Sequence, residues 1–428
     1  MQSDLAPVQS DLARFGGWCF LAGVFLMLTG DGLTNFSEPF PAQAWPWLYL
    51  LPFVLAGVAM ALAGRIGPRQ PARVAVAYPA LAALLAVFAL STLLSQERTL
   101  SATALGCVAG VVVFWWCSGQ MLENSRLLEA TWLVAVLAVL ELAIRVILSR
   151  LNEGLDQIPL EVRSVTWLGK HQIAWVFNLF APFLLARFIG DQRRSVSLFN
   201  GLVWAIVGLA NYLLLSRMGL LVFVLATLGV CFLNAVHWRR WIVLMGTAAA
   251  GAAIVIANNL RITTFVASTF LDRALNSGID LRLRVWEEAW DMFRTHPFVG
   301  IGLGTFDKIA YQMPATAANP DFQLNGWHAH NVPLHILTEA GVLGLAAWVF
   351  LWYVIVGALV RAWRTGSREQ RVYAAATLVS VVAFQILSMT EVLIAARVQA
   401  SLQMNLMIAL LMVLGLRMSL PPPKPAAD

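Results

Sequence analysis

Three of the chain's six histidines fall in one short stretch, His328-Ala329-His330-Asn331-Val332-Pro333-Leu334-His335. Imidazole exchanges a proton near neutral pH, so the stretch is first a candidate for general-base chemistry, taking a proton from a hydroxyl. Asn331 is a favoured helix N-cap and Pro333 is tolerated in a first turn. A helix therefore starts here, with His330 just before it. The competing reading is an interfacial histidine satisfied by backbone. His-Ala-His also invites a metal, but no third ligand or carboxylate cluster stands nearby, and no metal is expected.

Fixed cations are the second set. Arg217 follows Ser216 at the start of an apolar run. Arg282 precedes Trp286 by four residues, and Arg163 and Lys170 flank Trp167-Leu168-Gly169. Each alone reads as a snorkelling anchor or a solvated charge. Together, from separate loops beside one histidine, they suit a diphosphate. Glu141 and Arg145, spaced i,i+4 in an apolar run, read as a self-neutralising pair. His335, Thr338 and Glu339 lie further into the helix, and Glu339 is expected to face protein or a wet cavity. Gly300-Ile301-Gly302-Leu303-Gly304 has no strand-turn-helix context for a nucleotide loop and reads as a tight turn after His296-Pro297.

The elements that position these residues are membrane helices. Of 428 residues 59% are hydrophobic and 12% charged, against roughly a quarter charged in a soluble domain. Continuous apolar runs of about 20 residues match a hydrocarbon core of about 30 Å, and continuity favours helices over a barrel. About twelve spans can be placed: 15–32, 45–64, 74–94, 101–119, 127–148, 171–190, 196–215, 217–236, 240–258, 332–360, 372–390 and 394–416. Ala42-Gln43-Ala44 resembles a cleavage site but lies too far past the first run, whose flank (Asp4, Asp11, Arg14) is not basic; the first helix is expected to be uncleaved. Cys19, Cys107, Cys117 and Cys231 lie in or beside apolar runs and form no disulfide or zinc pattern.

The net charge of +6 is almost all arginine and reads as topological anchors rather than a nucleic-acid surface. With a cytoplasmic N-terminus, the inside loops carry Arg65/Arg69/Arg73, Arg126, Arg187/Arg193/Arg194, Arg239/Arg240 and Arg361/Arg364/Arg368/Arg371, whereas 33–44 carries none and 95–100 only Arg98. Both termini are then cytoplasmic. The polar gaps 149–170 and 259–331 face outward, with Arg163, Lys170, Arg217, Arg282 and His330. Within the second gap, Val285, Trp286, Ala289, Met292 and Phe293 recur at helical spacing, as in an amphipathic helix on the membrane surface. Three units follow: helices and the loop 149–170 in 1–258, an outer loop with the candidate site in 259–331, and helices with a tail in 332–428.

These residues resemble a family. His330-Asn331, nine residues, Gly341, two residues and Gly344 is similar to the signature of bacterial O-antigen ligases. Arg282-Leu283-x-x-Trp286, then His296-Pro297-Phe298-Val299-Gly300-Ile301-Gly302-Leu303-Gly304-x-Phe306, resembles the core shared by the ligase/polymerase superfamily. Ser216-Arg217-x-Gly219 at a span boundary fits as well. The resemblance covers about 160–345 by motif and the whole chain by topology. It implies an all-α polytopic GT-C type glycosyltransferase of the bacterial inner membrane, with about twelve transmembrane helices, a large partly helical periplasmic loop and an active site facing the periplasm. The donor would be undecaprenyl-diphosphate-linked O-antigen and the acceptor lipid A–core, among membrane lipids, with no ATP, cofactor or metal. His330 matches the family's essential histidine, Arg217 and Arg282 its essential arginines; Arg163 and Lys170 match no tight pattern.

Two other superfamily activities are weighed: O-antigen polymerase, which shares the topology, and O-linked oligosaccharyltransferase, whose members usually carry an extra C-terminal periplasmic domain. From another class, a flippase for lipid-linked glycans would place polar residues near the midplane on paired broken helices. Here they gather at the outer surface.

Overall fold

The computed structural model describes residues 2–29, 45–67, 73–153, 170–214, 216–234, 278–310, 328–389 and 398–421. Among them every long element is helical and none is a strand. The order is α1 (Gln2–Thr29), α2 (Trp45–Leu62), a 3-10 turn (Arg73–Ala77) running into α3 (Tyr78–Leu94), α4 (Arg98–Met121), α5 (Ser125–Glu153), α6 (Lys170–Gly190), α7 (Arg194–Leu213) and α8 (Arg217–Leu233). There follow α9 (Gly278–Thr295), the short α10 (Phe306–Ala310), α11 (Val332–Thr365), α12 (Arg368–Ser388) and α13 (Val398–Ser419).

Nine of the helices among the described residues are long and apolar enough to cross a membrane: α1, α3 with its leading turn, α4 to α7, and α11 to α13. In α2 and α8 the shorter apolar stretches Leu50–Leu62 and Met218–Leu233 stand where spans are expected. The expected span 240–258 lies outside the described residues. The chain is a multi-pass, all-α membrane protein. Its surfaces follow: α5 buries Ala135, Val139, Leu142 and Val146, and exposes Leu133, Leu137, Ile144 and Leu148, a helical stripe that suits lipid. At the centre α6 is buried all round from Ile173 to Ala186 and packs on α7, α8 and α12. A capping box between Ser367 and Gln370 starts α12. Arg145 donates to Glu141, forming the expected pair within α5.

The two ends differ. At one end the Glu123 carboxylate lies 3.2 Å from Arg417 Nε and 3.5 Å from Arg73 Nε. Arg73 Nη1 also donates to the carbonyls of Arg417 and Leu420, so α3, α4 and α13 are tied together. Arg187 makes a two-point bond to Glu129 at 3.1 and 2.9 Å, with its guanidinium over the Trp132 ring. Arg73 and Arg187 are among the arginines that the charge asymmetry groups on one side, and Arg417 in the last turn of α13 joins Arg73 there.

At the opposite end α11 is broken. Gly341 has φ 67° and ψ −169°, outside the helical region. A broken helix leaves carbonyls without donors before the break and N–H groups without acceptors after it, and in a membrane each such orphan costs several kcal/mol. The turn after α9 supplies all four partners. Ile301 N donates to Thr338 O at 3.0 Å and Gly302 N to Glu339 O at 3.0 Å; Val342 N donates to Pro297 O at 2.9 Å and Leu343 N to Phe298 O at 3.2 Å. The expected tight turn after His296-Pro297 is present, and it threads the helix break.

Two glycines permit the close approach. A Cβ on Gly341 would lie 2.3 Å from Phe298 C, and one on Gly300 2.2 Å from Glu339 C, both at positive φ. Gly341→Ala is expected to destabilise the fold by about 2–4 kcal/mol, from left-handed strain plus overpacking. Gly357→Ala, on the same helix with nothing within 4 Å of the added carbon, is expected to be neutral or slightly stabilising. Thermal unfolding of the two variants in detergent distinguishes them.

Candidate active site at the head of the broken helix

The segment before the break, 332–340, starts as the sequence implies. Asn331 caps it, its side-chain oxygen accepting from Leu334 N at 3.0 Å, and Pro333 occupies the first turn. His330 stands immediately before the cap. Its φ of 48° makes it the one non-glycine residue with positive φ among the described residues. Such conformations cost about 1–3 kcal/mol and persist only where surroundings impose them.

Those surroundings can be named. Ala329 is fully buried, and its carbonyl accepts from Trp286 Nε1 at 2.8 Å. His330 N donates to His328 Nδ1 at 3.2 Å, and the two imidazoles meet edge to face with centroids 4.1 Å apart. Asn331 Nδ2 approaches Met389 Sδ at the end of α12. Thus α9 holds the backbone one residue before His330, and α12 borders the residue after it.

The amphipathic pattern of α9 serves this clamp. Val285, Ala289 and Met292 are buried at i, i+4, i+7 against Ile301, Phe306, Ala310 and Ala329 in a small core of their own. The apolar face is covered by protein rather than lying on lipid. Thr338 Oγ1 donates to Ala289 O at 3.1 Å, fastening the same helix to α11. The turn between α3 and α4 joins from the other side: Ser95 Oγ donates to Ile301 O at 3.4 Å, and Lys308 pairs with Glu97 at 2.7 Å.

The expected cations divide into two groups. Arg282 is half-buried, one helical turn before Trp286 and on the same face, with no ion pair among the described residues. It therefore stands one turn from the residue that holds the backbone beside His330. Arg217 opens α8, whose N-cap is Ser216, the hydroxyl accepting from Gly219 N at 3.2 Å. Lys170 opens α6. These two helix starts are neighbours, since a Cβ on Gly219 would lie 2.9 Å from Ala174 Cβ. α12 packs on α6 and α8 and also on α11. The side chains of Arg217 and Lys170, and all of Arg163, lie outside the described residues. Among the described residues, no group of three or more His, Cys, Asp or Glu has metal-holding geometry.

Four participants were not singled out as site residues from sequence. Trp286 had a signal, its place at helical spacing four residues after Arg282. His328 had one too, as the other half of His-Ala-His. Ser91, whose Oγ donates to Glu339 O at 2.8 Å, and Ser95 had none, being small hydroxyls at the end of an apolar run.

Residues 201–349 match the family model of the O-antigen ligase. The match over that segment supports membership of the O-antigen ligase/polymerase superfamily. It runs from α7 through Arg217, α9, the threaded turn and His330 to just beyond the break in α11. The matched segment thus contains the clamp apart from Met389 at the end of α12 and the α3–α4 turn. A comparison with curated proteins returns no match.

Trp286→Phe keeps the aromatic packing but removes the bond to Ala329 O. It is expected to cost about 1 kcal/mol, with faster amide exchange at 328–340 and unchanged protection in α6 and α12, measured by hydrogen–deuterium exchange mass spectrometry.

Proposed function

We propose that the protein is a metal- and ATP-independent O-antigen ligase of the bacterial inner membrane. It transfers O-antigen polysaccharide from undecaprenyl diphosphate to a sugar hydroxyl of lipid A–core in the periplasmic leaflet. The observation that carries this reading is His330, held in a strained backbone at the head of a broken helix inside the O-antigen ligase segment, with Arg282 one turn from its clamp. His330 accepts the proton of the acceptor hydroxyl. The acceptor oxygen attacks the anomeric carbon, and the bond to diphosphate breaks with its electron pair leaving on the phosphate oxygen. Arg282 and Arg217, always protonated, hold the negative charge that develops there; Arg163 and Lys170 assist from the loop 149–170. In this reading the residues 1–258 and 332–428 form the membrane frame, 259–331 is periplasmic, and both termini are cytoplasmic.

Helix length refines where the site stands. α11 has 34 residues, about 51 Å at 1.5 Å each, far more than a core of about 30 Å. Its exposed large apolar side chains begin at Val342 and Leu343 and continue through Val349, Phe350 and Tyr353. The bilayer edge in this reading lies at Gly341, not at His330. The nine residues 332–340 then raise the histidine by about 13 Å above the hydrocarbon. Leu337→Cys is expected to react with a membrane-impermeant maleimide in oriented vesicles, and Phe350→Cys to be protected. Protection of both would return the edge to His330.

The transfer itself is tested with purified protein, undecaprenyl-diphosphate glycan and lipid A–core. Extended lipopolysaccharide should form with EDTA present and ATP absent. His330→Ala should lower the rate by roughly 10²–10⁴-fold; a near wild-type rate removes the general-base assignment, and loss of activity on chelation removes the metal-free mechanism. Elongation of a second lipid-linked glycan, with lipid A–core left untouched, would make the protein a polymerase.

A further inference from the structure

The transfer scheme uses one of the two rings in His328-Ala329-His330 and gives the other no task. His328 Nδ1 accepts from His330 N at 3.2 Å. A backbone N–H can only donate, so this Nδ1 carries no hydrogen. The His328 ring is therefore neutral, with its proton on Nε2. The contact spans two residues. That is the reach by which an asparagine or aspartate oxygen takes the N–H two positions on and turns the chain. Histidine Nδ1 is bonded to Cγ, as asparagine Oδ1 is, so the ring does here what an amide oxygen does in such turns.

The bond falls on the one non-glycine residue with positive φ among the described residues, His330 at 48°. The other supports hold the residues on either side: Trp286 Nε1 donates to Ala329 O, and Asn331 Oδ1 accepts from Leu334 N. His328 holds the amide of His330 itself. The two rings also meet, at 68° with centroids 4.1 Å apart. A flat apolar ring could supply that packing, but it could not supply the acceptor. Being neutral, His328 also does not oppose a proton arriving on His330, as a cation at that distance would.

We propose that His328 is a positioning residue for His330. Its Nδ1 holds the left-handed backbone that presents the His330 ring to the acceptor hydroxyl, while His328 gives and takes no proton in the transfer. The effect on transfer rests on the ligase reading above; the hold on the backbone does not.

Three variants of the full chain separate the acceptor atom from the ring. His328→Asn keeps an acceptor on Cγ and removes the ring. His328→Phe keeps a ring and removes the acceptor, and His328→Ala removes both. His328→Asn should keep kcat near the parent value. His328→Phe and His328→Ala should each lose about 10-fold in kcat, the scale of one hydrogen bond, at the parent KM for donor and at a temperature where thermal unfolding shows all four proteins folded. Amide exchange of residues 328–334, followed without substrate, should be slow in the parent and in His328→Asn and faster in the other two. In the parent, the ring nitrogen NMR shifts of His328 should report the Nε2–H tautomer at neutral pH, a reading that requires no variant to fold. An Nδ1–H or doubly protonated ring overturns the proposal, as does equal exchange in all four proteins. So does a His328→Phe variant as active as the parent, or a His328→Asn variant no better than His328→Ala. If the parent transfers no glycan while the exchange and tautomer results hold, the ligase reading falls and the support of residue 330 by His328 stands.

Discussion

The arrangement depends on one exchange of backbone hydrogen bonds. α11 is interrupted at Gly341, and the turn 297–302 supplies the donors and acceptors that the interruption orphans. Each such bond contributes about 0.5–1.5 kcal/mol net, but an unmade one in a dry environment costs much more. Break and turn are therefore mutually required. The turn has no regular structure without the break to occupy, and the break is not tolerable without the turn. This is why two glycine groups far apart in sequence, 300–304 and 341–344, belong to a single construction.

From that exchange the site follows outward. The threaded turn fixes the exit of α9, and α9 carries Trp286 to the carbonyl of Ala329. The α3–α4 turn holds the same loop from behind through Ser95 and Glu97. His330 is thus restrained through backbone on its N-terminal side and by the Asn331 cap on its C-terminal side. Precision at a reacting group comes from such rigid support rather than from the group itself. The ionic ties among Arg73, Glu123 and Arg417 at the other end hold α3, α4 and α13 together where no chemistry is proposed.

Much of this was legible in the sequence because membrane helices and caps are local. Continuous apolar runs located the helices, Asn331 and Pro333 announced the start of α11, and Glu141 with Arg145 announced its own pairing. The break at Gly341 was not legible. Thr338 and Glu339 just before it read only as polar residues within a continuing helix, and its cause lies some forty residues upstream. The docking of α9 on protein was equally hidden, since an amphipathic face reads the same whether lipid or a second small core covers it. The serines of α3 gave no signal, because a hydroxyl at a span end is usually satisfied within its own helix.

The left-handed backbone at residue 330 has a consequence for which side chains the position can hold. Apart from glycine, that region is populated mainly by asparagine, aspartate and histidine, and is hostile to β-branched and bulky residues. Of those few, histidine alone is a neutral base at neutral pH. In the proposed mechanism, conformation and proton chemistry filter the same position independently and leave one common solution. The substitution space there is closed twice over, first by the fold and again by the reaction.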